Sequence, residues 1–396
     1  MTFDVVIVGG FGHAGLPLAI SLSDRGVNVC ALDIDEHAMR IIGDGNMPFH
    51  EEGAEPALRR VLQNGKLTLS LDPSVISRTE TVVVVIGTPV DRHLNPEFEL
   101  LRQVMAGYLP YFHDGQLLVL RSTVYPGITE KLRSWLRREG KQVELAFCPE
   151  RIAEGLAMKE LSTLPQIISS FSEHGLARAR SLFERLGVQT IVVPPIEAEL
   201  AKLFSNVWRY IKFAAANQFF MIANDHGADF YRIHHAMTTN YERCRDIPGP
   251  GFAAGPCLFK DAMQLAALNK GGFYLGHAAM LINEGLPNYL VNQIKRTHDL
   301  RDKTVGILGM AFKANIDDKR ESLSYKLKKI LLFEARQVLC SDAHITDPDL
   351  ISAEELLRRS DVIIVGTPHR EYRDLKIPAG KLFVDVWNMS GQGCVI

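Results

Sequence analysis

The sequence predicts an α/β protein in which two doubly wound, Rossmann-like domains are joined by a helical domain with a long central helix. Short apolar segments alternate with helix-like stretches in the first half of the chain and again near its end. This alternation is typical of parallel strands that are buried on both faces by helices. Between the two regions, residues 196–228 are helix-prone, with no proline and no glycine before Gly227. A segment rich in glycine, proline and alanine, residues 248–256, interrupts the helices that follow.

These patterns divide the chain into predicted domains at residues 1–195, 196–298 and 299–396. The predicted strands of the first domain are residues 3–8, 27–32, 81–86, 116–120, 145–148 and 190–193. Those of the third domain are residues 304–308, 337–340, 361–365 and 382–386. Helices are predicted to connect the strands, beginning with residues 16–23.

Composition limits the classes of partner. The 396 residues carry a formal net charge of -2, which gives no bulk electrostatic reason to expect nucleic acid or an anionic membrane as partner. No run of about 18 uncharged apolar residues predicts a membrane span. The six cysteines are scattered without a CxxC pair, so neither a disulfide framework nor a metal site is expected. With no signal-peptide pattern at the start, these features predict a cytoplasmic protein.

A dinucleotide fingerprint lies at the first predicted strand–helix junction. Gly10, Gly12 and Gly15 form a GxGxxG sequence, which permits a tight turn and brings backbone N–H groups near a pyrophosphate. Asp33 ends the second predicted strand, where a carboxylate binds ribose hydroxyls and repels a 2′-phosphate. The pattern favours NAD over NADP. A turn without a ligand and an FAD site are the alternatives.

A second signal is a cysteine at the end of the flexible glycine-rich segment. Cys257 follows that loop and opens a predicted helix, with Lys260 close by. A helix N-terminus and a nearby lysine both favour the thiolate form of a cysteine. A buried structural cysteine is the alternative reading of this segment alone.

Seven segments, in order over almost the whole chain, resemble the UDP-glucose/GDP-mannose dehydrogenase family. Besides the GxGxxG sequence, they are Gly87-Thr88-Pro89, the loop at 122–127 (STVYPG), the Pro-Glu-Arg segment at 149–151, Lys202 with Asn206 and Asn217, Cys257 with Asp261, and the segment at 309–313 (GMAFK) with Asp318, Arg320, Glu321 and Ser322. His369 also follows the last-lobe strand as in the family. The order of the segments makes the resemblance specific.

The resemblance implies an NAD-dependent enzyme that oxidises the 6-hydroxymethyl group of a nucleotide sugar to a carboxylate. Such a four-electron oxidation must hold an aldehyde between two hydride transfers, which a cysteine does as a thiohemiacetal and then a thioester. The implied catalytic residues are Cys257, Lys202, Asn206, Asp261, Thr123 and Glu150. Lys202 is expected to act as base or oxyanion partner, and Glu150 either activates water or is structural.

The implied binding residues complete the expected site. Thr88, Thr123 and Arg320 join the glycines and Asp33 as cofactor contacts. Lys313 and Arg243 join Lys202 and Asn206 as substrate contacts. Arg243 is expected to reach across a subunit interface, with Arg245 and Arg151 as alternatives for the arginine that contacts the sugar. A homodimer or higher homo-oligomer built on the long central helix is also implied.

The sequence departs from the family pattern in the cysteine loop. Ala253 and Ala254 stand where the family usually has two glycines, and Leu258-Phe259 replaces the usual Phe-Pro. The two added methyl groups are expected to narrow the space beside the sugar, so these departures affect the choice of sugar more than the chemistry. UDP-glucose is favoured because the Cys-x-x-Lys-Asp arrangement of Cys257, Lys260 and Asp261 resembles the glucose-oxidising branch of the family, with UDP-N-acetylhexosamines and GDP-mannose as alternatives. A two-electron hydroxyacid dehydrogenase and a non-catalytic nucleotide-sugar sensor are competing hypotheses.

Overall fold

The computed structural model describes residues 2–87, 98–269 and 272–396. Thr88, a predicted cofactor contact, therefore lies outside the described residues. The chain divides into two compact units, Met1–Phe204 and Ser205–Ile396.

The first unit is built on an eight-stranded sheet in the order β3-β2-β1-β4-β5-β6-β7-β8. Its strands are β1 Val5–Val8, β2 Val29–Leu32, β3 Leu67–Ser70, β4 Thr81–Val84, β5 Leu117–Leu120, β6 Glu144–Phe147, β7 Gln166–Ser170 and β8 Thr190–Val192. Within the described residues its α-helices are α1 Gly15–Ser23, α2 Glu36–Gly43, α3 Ala54–Gln63, α4 Phe98–Tyr108, α5 Ile128–Arg138, α6 Ala157–Glu160 and α7 Glu173–Glu184. All neighbouring strands are parallel except β6 and β7.

The central strands of this sheet explain its doubly wound form. All four residues of β1 (VVIV), β2 (VCAL) and β5 (LLVL) are buried, because helices cover both faces. The strand order reverses at β1, which has β2 on one side and β4 on the other. The carboxyl ends of β1 and β4 therefore border the crevice where ligands bind in folds of this kind.

Helix α8, Pro195–Asp225, is 31 residues long and runs from the first unit into the second. The helices that follow in the second unit are α9 Phe230–Thr238, α10 Leu258–Leu268, α11 Tyr274–Thr297, α12 Leu323–Glu334 and α13 Ala353–Arg359. Its strands are β9 Thr304–Leu308, β10 Gln337–Ser341, β11 Val362–Val365 and β12 Leu382–Val384. They form a parallel sheet in the order β10-β9-β11-β12.

The predicted fold class is confirmed: two helix-covered sheets, one mainly parallel and one fully parallel, are joined through helices that begin with one long helix. Strands β3 and β7 were not predicted from the sequence. The sequence of β3 (LTLS) has only one fully buried position, and β7 (QIISS) is rich in polar residues. Neither segment shows the continuous apolar run of a central strand. Within the described residues, no helix is both long enough and apolar enough to cross a membrane.

Candidate active site

The glycine-rich turn connects β1 to α1 in the first unit. A Cβ atom added at Gly10 would lie 2.8 Å from the Ala31 Cα, and one added at Gly15 would lie 2.0 Å from the Gly9 carbonyl oxygen. These two glycines allow strand and helix to pack closely. At Gly12 the nearest protein atom would be 3.8 Å away, so the backbone there is open to a ligand. This geometry fits a dinucleotide pyrophosphate at the start of α1.

Asp33 follows β2 and is tied to the same turn. One carboxylate oxygen accepts a hydrogen bond from the Phe11 N–H at 3.0 Å, and the other accepts one from the Ile34 N–H at 2.7 Å. The side chain remains partly exposed beside the glycine turn. Each carboxylate oxygen has a further lone pair for a ribose hydroxyl. Asp33 thus lies where the sequence analysis expected it, and the first unit fits NAD.

Thr123 lies in the loop that follows β5, at the same edge of the sheet. Ser122, its neighbour, accepts a hydrogen bond from the Ile86 N–H at 3.0 Å, which joins the ends of β4 and β5. Thr123 itself is half-buried. The loop therefore belongs to the strand ends where doubly wound sheets gather ligands.

Glu150 is fully engaged by the protein. One oxygen pairs with the buried Arg121 guanidinium, and the other accepts the N–H groups of Arg151 and Ile152 at 2.7 and 2.9 Å. Burial by itself raises the pKa of this carboxyl, but Arg121 and the backbone donors outweigh burial and hold the pKa below its usual range. A carboxylate with a lowered pKa is a poor base. The geometry therefore favours a structural role for Glu150 over a role as the base that activates water.

Lys202 lies on α8 and is buried, with 8% of its surface exposed. Three residues earlier, Glu199 accepts hydrogen bonds from the N–H groups of Gly127 at 2.6 Å and Thr129 at 2.8 Å. The Glu199 carboxylate thereby fixes the first turns of α8 against the loop after β5 and the start of α5. Most lysines in proteins are exposed to solvent, and Lys202 is not one of these.

Asn206 lies one helical turn after Lys202 and pairs with Asp261 of α10. Its side-chain amide donates to the Asp261 carboxylate at 2.6 Å, and both side chains are buried. The Lys260 ammonium is 4.0 Å from the other Asp261 oxygen. A buried carboxylate is stable only with such donors and cations around it. The structure thus brings Asn206 and Asp261 together, as the sequence analysis expected.

Cys257 is the residue immediately before α10. Of the six cysteines it alone is exposed, whereas Cys244 is half-buried and the other four are buried. The Asp261 N–H donates to the Cys257 carbonyl at 2.9 Å, which places the carboxylate one turn into the same helix. An exposed thiol at a helix N-terminus is the arrangement expected of a nucleophilic cysteine.

The loop before Cys257 is anchored at Gly251 by a buried asparagine of α8. The Asn217 side chain accepts the Gly251 N–H at 2.8 Å and donates to the Gly251 carbonyl at 3.0 Å. It also donates to Asn283 at 2.9 Å. Gly251 has a φ of 151°, and a Cβ atom there would lie 2.3 Å from the Trp387 ring. Only glycine fits between the asparagine and this ring.

Ala253 and Ala254, the two departures from the family pattern, are buried with 3% and 9% of their surfaces exposed. Ala254 packs in the apolar core that α8, α11 and the second sheet share. Its methyl group therefore fills protein interior. The expectation that both methyl groups narrow the sugar site stays a prediction.

The remaining predicted contacts lie elsewhere in the second unit. Lys313 is half-buried in the loop after β9. Arg320 pairs with Asp318, its Nε lying 2.8 Å from one carboxylate oxygen. Arg243 is exposed, its guanidinium carbon 5.9 Å from the centre of the Tyr241 ring. The ligand contacts proposed for these three residues stay predictions.

Two residues that support the site, Arg121 and Trp387, were not identified from the sequence, and Asn217 was named there without a role. Arg121, which neutralises Glu150, immediately follows the buried strand β5. A charge directly after an apolar strand indicates that it needs a partner, but not which one. Asn217 belongs to a motif that the sequence shows. Its hydrogen bonds to Gly251, however, form only because α8 packs against a loop 34 residues further along the chain. No pattern in the sequence around Trp387 indicates that its ring packs against Gly251.

Comparisons with known proteins agree with this geometry. The sequence matches three domains of the UDP-glucose/GDP-mannose dehydrogenase family: the NAD binding domain over residues 4–187, the central domain over 196–284 and the UDP binding domain over 306–392. A UDP-N-acetyl-D-mannosamine dehydrogenase of Methanocaldococcus jannaschii is 27% identical, covering 93% of this chain and 86% of the relative. An NDP-N-acetyl-D-galactosaminuronic acid dehydrogenase of Ralstonia nicotianae is 26% identical, covering 94% and 92%.

A solved structure of a related enzyme shows the same fold. The structure of a UDP-glucose dehydrogenase from Pyrobaculum islandicum matches with a TM-score of 0.88 and 25% identity, covering 97% of this chain and 94% of that one. The family matches together extend over most of the sequence and include both the NAD binding and UDP binding domains. The chain belongs to the UDP-glucose/GDP-mannose dehydrogenase family, whose members are NAD-dependent nucleotide-sugar dehydrogenases.

Proposed function

We propose that this enzyme oxidises the C6 hydroxymethyl group of a UDP-linked sugar to a carboxylate, with Cys257 as covalent nucleophile. The observation that carries the proposal is the exposed Cys257 thiol at the start of α10, one turn from the buried Asp261–Asn206 pair. NAD supplies the hydride acceptor for both oxidation steps.

The chain's own residues perform the covalent steps. The hydroxyl proton passes to solvent water as the alcohol becomes an aldehyde, and the Lys202 ammonium stabilises the alkoxide that develops in this step. The Cys257 thiolate then adds to the aldehyde carbon, and Lys202 and Asn206 stabilise the oxyanion of the resulting thiohemiacetal. Loss of a second hydride leaves a thioester on Cys257. Water oriented by Asp261 attacks this thioester, the carbon–sulfur bond breaks, and the free thiol and the sugar carboxylate are released.

The sugar is proposed to be a UDP-N-acetylhexosamine. The two curated relatives described above are named for N-acetylated sugars and cover nearly the whole chain at 26–27% identity. UDP-glucose is the second candidate, because the arrangement of Cys257, Lys260 and Asp261 resembles the glucose-oxidising branch of the family and because the chain is similar to the Pyrobaculum enzyme.

A panel of nucleotide sugars with NADH counted per sugar consumed tests this function. UDP-N-acetylmannosamine, UDP-N-acetylgalactosamine, UDP-glucose and GDP-mannose are each incubated with NAD, and the acidic product is identified by mass. The expected result is two NADH per sugar for one UDP sugar. One NADH per sugar would indicate a two-electron dehydrogenase, and no turnover with any of the four would favour a sensor.

Asp33→Ala is expected to weaken NAD binding about 10- to 100-fold and to reduce the preference of the enzyme for NAD over NADP. The variant loses two charge-assisted hydrogen bonds to the ribose, each of which contributes about 1.5–3 kcal/mol, partly offset by water. Affinities of wild type and variant for NADH and NADPH, measured by fluorescence titration, check this. Asp35→Ala is the matched control, since Asp35 instead caps α2. Equal use of NAD and NADP by the wild type would contradict the ribose assignment.

We further infer that α8 forms a homodimer interface. Trp208, Phe219 and Ile222 are 55%, 44% and 51% exposed. With spacings of 11 and 3 residues they lie on one side of the helix. An apolar stripe of this kind fits a second copy of the same helix, as the family resemblance implies.

The double substitution Trp208→Glu and Phe219→Glu is expected to convert the dimer to a monomer at micromolar concentration, because burying two charges on each chain opposes association. Sedimentation velocity measures the change, with Phe333→Glu as control, since Phe333 is 92% exposed at the end of α12. A wild type that sediments as a monomer at all concentrations would exclude the interface.

A further inference from the structure

The second sheet contains a buried carboxylate at the position that Asp33 occupies in the first. Asp342 follows β10, the strand beside β9, as Asp33 follows β2 beside β1. The Asp33 side chain is partly exposed, whereas the Asp342 side chain is completely buried. A carboxylate with no access to solvent cannot receive a ribose, so Asp342 serves another purpose.

Donors from the protein surround Asp342 completely. One oxygen accepts the N–H groups of Met310 at 2.6 Å and Ala311 at 2.9 Å, and the His369 Nε2 lies 3.1 Å from it. The other oxygen accepts the N–H groups of His344 at 2.8 Å and Ile345 at 2.9 Å. Five donors on one carboxylate hold the loop after β9 to the end of β10.

His369, also completely buried, extends this arrangement to the far end of the same loop. Its Nδ1 accepts the Asn315 N–H at 2.9 Å, so Nε2 carries the proton and donates to Asp342. Both ring nitrogens of His369 therefore take part in hydrogen bonds within the protein. The ligand atoms of His344, His369 and Glu371 lie within 4.8 Å of one another, but His369 has no lone pair left for a metal ion there.

The loop between these two attachments, residues 309–315, carries Lys313 and is held at further points. The Thr367 hydroxyl, two residues after β11, donates to the Ala311 carbonyl at 2.5 Å. Asn315 has a φ of 59°, and its side chain accepts the Arg370 N–H at 3.0 Å. The segment that follows β11 thus fixes the loop after β9 along its length.

Phe312 connects this loop to the segment that presents Cys257. A Cβ atom at Gly255 would lie 2.5 Å from the Phe312 ring, so ring and backbone are in direct contact. The Gly255 N–H also donates to the Glu321 carbonyl at 3.3 Å. Gly255 is two residues before Cys257, so a shift of Phe312 moves the backbone that positions the thiol.

We propose that the buried Asp342–His369 pair is a positioning clamp for the reaction: it fixes the Phe312–Lys313 segment and, through contact of Phe312 with Gly255, sets the position of the Cys257 thiol. The inference rests on the proposed role of Cys257 as nucleophile. His369 and Asp342 are positioning residues, because neither has a surface from which to touch a substrate.

His369→Leu tests the clamp, because leucine fills the space without an acceptor for Asn315 or a donor for Asp342. We expect kcat to fall about tenfold with little change in NAD affinity, since a small misplacement of a nucleophile lowers the rate of the chemical step. His369→Gln supplies one acceptor and one donor and is expected to restore most of the rate. His226→Leu is the matched control, since His226 is exposed after α8.

A readout without turnover is the rate at which iodoacetamide alkylates Cys257, followed by peptide mass spectrometry with Cys244 as internal reference. We expect His369→Leu to change the Cys257 rate at least about threefold and to leave Cys244 unchanged. In a Phe312→Ala background the effect of His369→Leu on Cys257 is expected to vanish, since the contact that transmits it is gone. If His369→Leu fails to fold, Thr367→Val removes only the bond to Ala311 and is expected to change both measurements in the same direction.

Unchanged kcat and unchanged Cys257 alkylation in folded His369→Leu would overturn the clamp. The clamp would also be ruled out if His369→Leu changed the Cys257 alkylation rate equally in the wild-type and Phe312→Ala backgrounds. Alkylation reports the exposure and ionisation of the Cys257 thiol and needs no turnover. The proposed function is instead tested by products and by Cys257→Ser, so failure of one inference is distinguishable from failure of the other.

Discussion

Cys257→Ser is expected to lower the production of two NADH per nucleotide sugar by about a thousand-fold or more, while NAD and substrate still bind. Serine nearly conserves the shape of cysteine at the start of α10. Its alkoxide is much harder to form near neutral pH than a thiolate, so addition to the aldehyde fails. Stopped-flow absorbance of NADH and calorimetric binding of the UDP sugar check the two parts of this prediction.

The other cysteines provide matched controls. Cys244→Ser changes the half-buried cysteine and is expected to leave turnover near normal. Serine at the buried Cys30 or Cys148 is expected to affect stability more than chemistry, since burial raises the pKa of each thiol to about 12 and keeps it protonated. Near wild-type production of two NADH per sugar by Cys257→Ser would rule out the thioester route.

A slow variant allows the covalent intermediate to be observed. Asp261→Asn keeps the shape of the side chain but removes the charge that is proposed to orient water. We expect the thioester on Cys257 to accumulate, and intact-mass measurement after rapid quenching to show an added sugar nucleotide. The same experiment on Glu150→Gln distinguishes the two roles considered for Glu150. If Glu150 activates water, the same adduct on Cys257 is expected. If Glu150 is a structural partner of Arg121, the variant is expected to be less stable and to show no adduct.

The sequence was sufficient to predict the fold class because each central strand is a continuous apolar run and the long helix lacks breakers. The glycine turn and Asp33 were predictable for a similar reason, since their function depends on residues next to them in the chain. Asn206 and Asp261 were expected in one site, but only through a resemblance spread over the chain.

The supporting contacts were not predictable, because they join distant segments. Asn217 and Gly251 are 34 residues apart, and Asp342 and His369 are 27 apart. Nothing local to an asparagine in a helix or a histidine after a strand reveals which backbone group it meets. Glu150 shows the converse: its motif was recognised, but the neutralising Arg121 becomes evident only when β5 and β6 are paired.

Lys202→Ala is expected to lower kcat far more than it raises KM, with a loss of about 2–4 kcal/mol of transition-state stabilisation. The charge of Lys202 matters most when an oxyanion develops, first on the alkoxide and then on the thiohemiacetal. In the ground state the sugar hydroxyl is neutral, so an ammonium beside it contributes little to binding. A lysine that only held the UDP phosphates would show the opposite pattern, a raised KM with kcat nearly unchanged.

The same helix supplies the control, since Lys212 is ten residues further along α8 and pairs at 3.4 Å with Asp246. Lys212→Ala is expected to change kcat less than twofold, because this ion pair is partly exposed. Lys202→Arg keeps the charge but replaces a compact ammonium with a planar fork, so it is expected to rescue little of the activity. If Lys202→Ala retained a near-normal kcat, oxyanion stabilisation would have to come from other groups. Burial of an ammonium that takes no part in catalysis would then need a structural explanation, which a loss of thermal stability in the same variant would reveal.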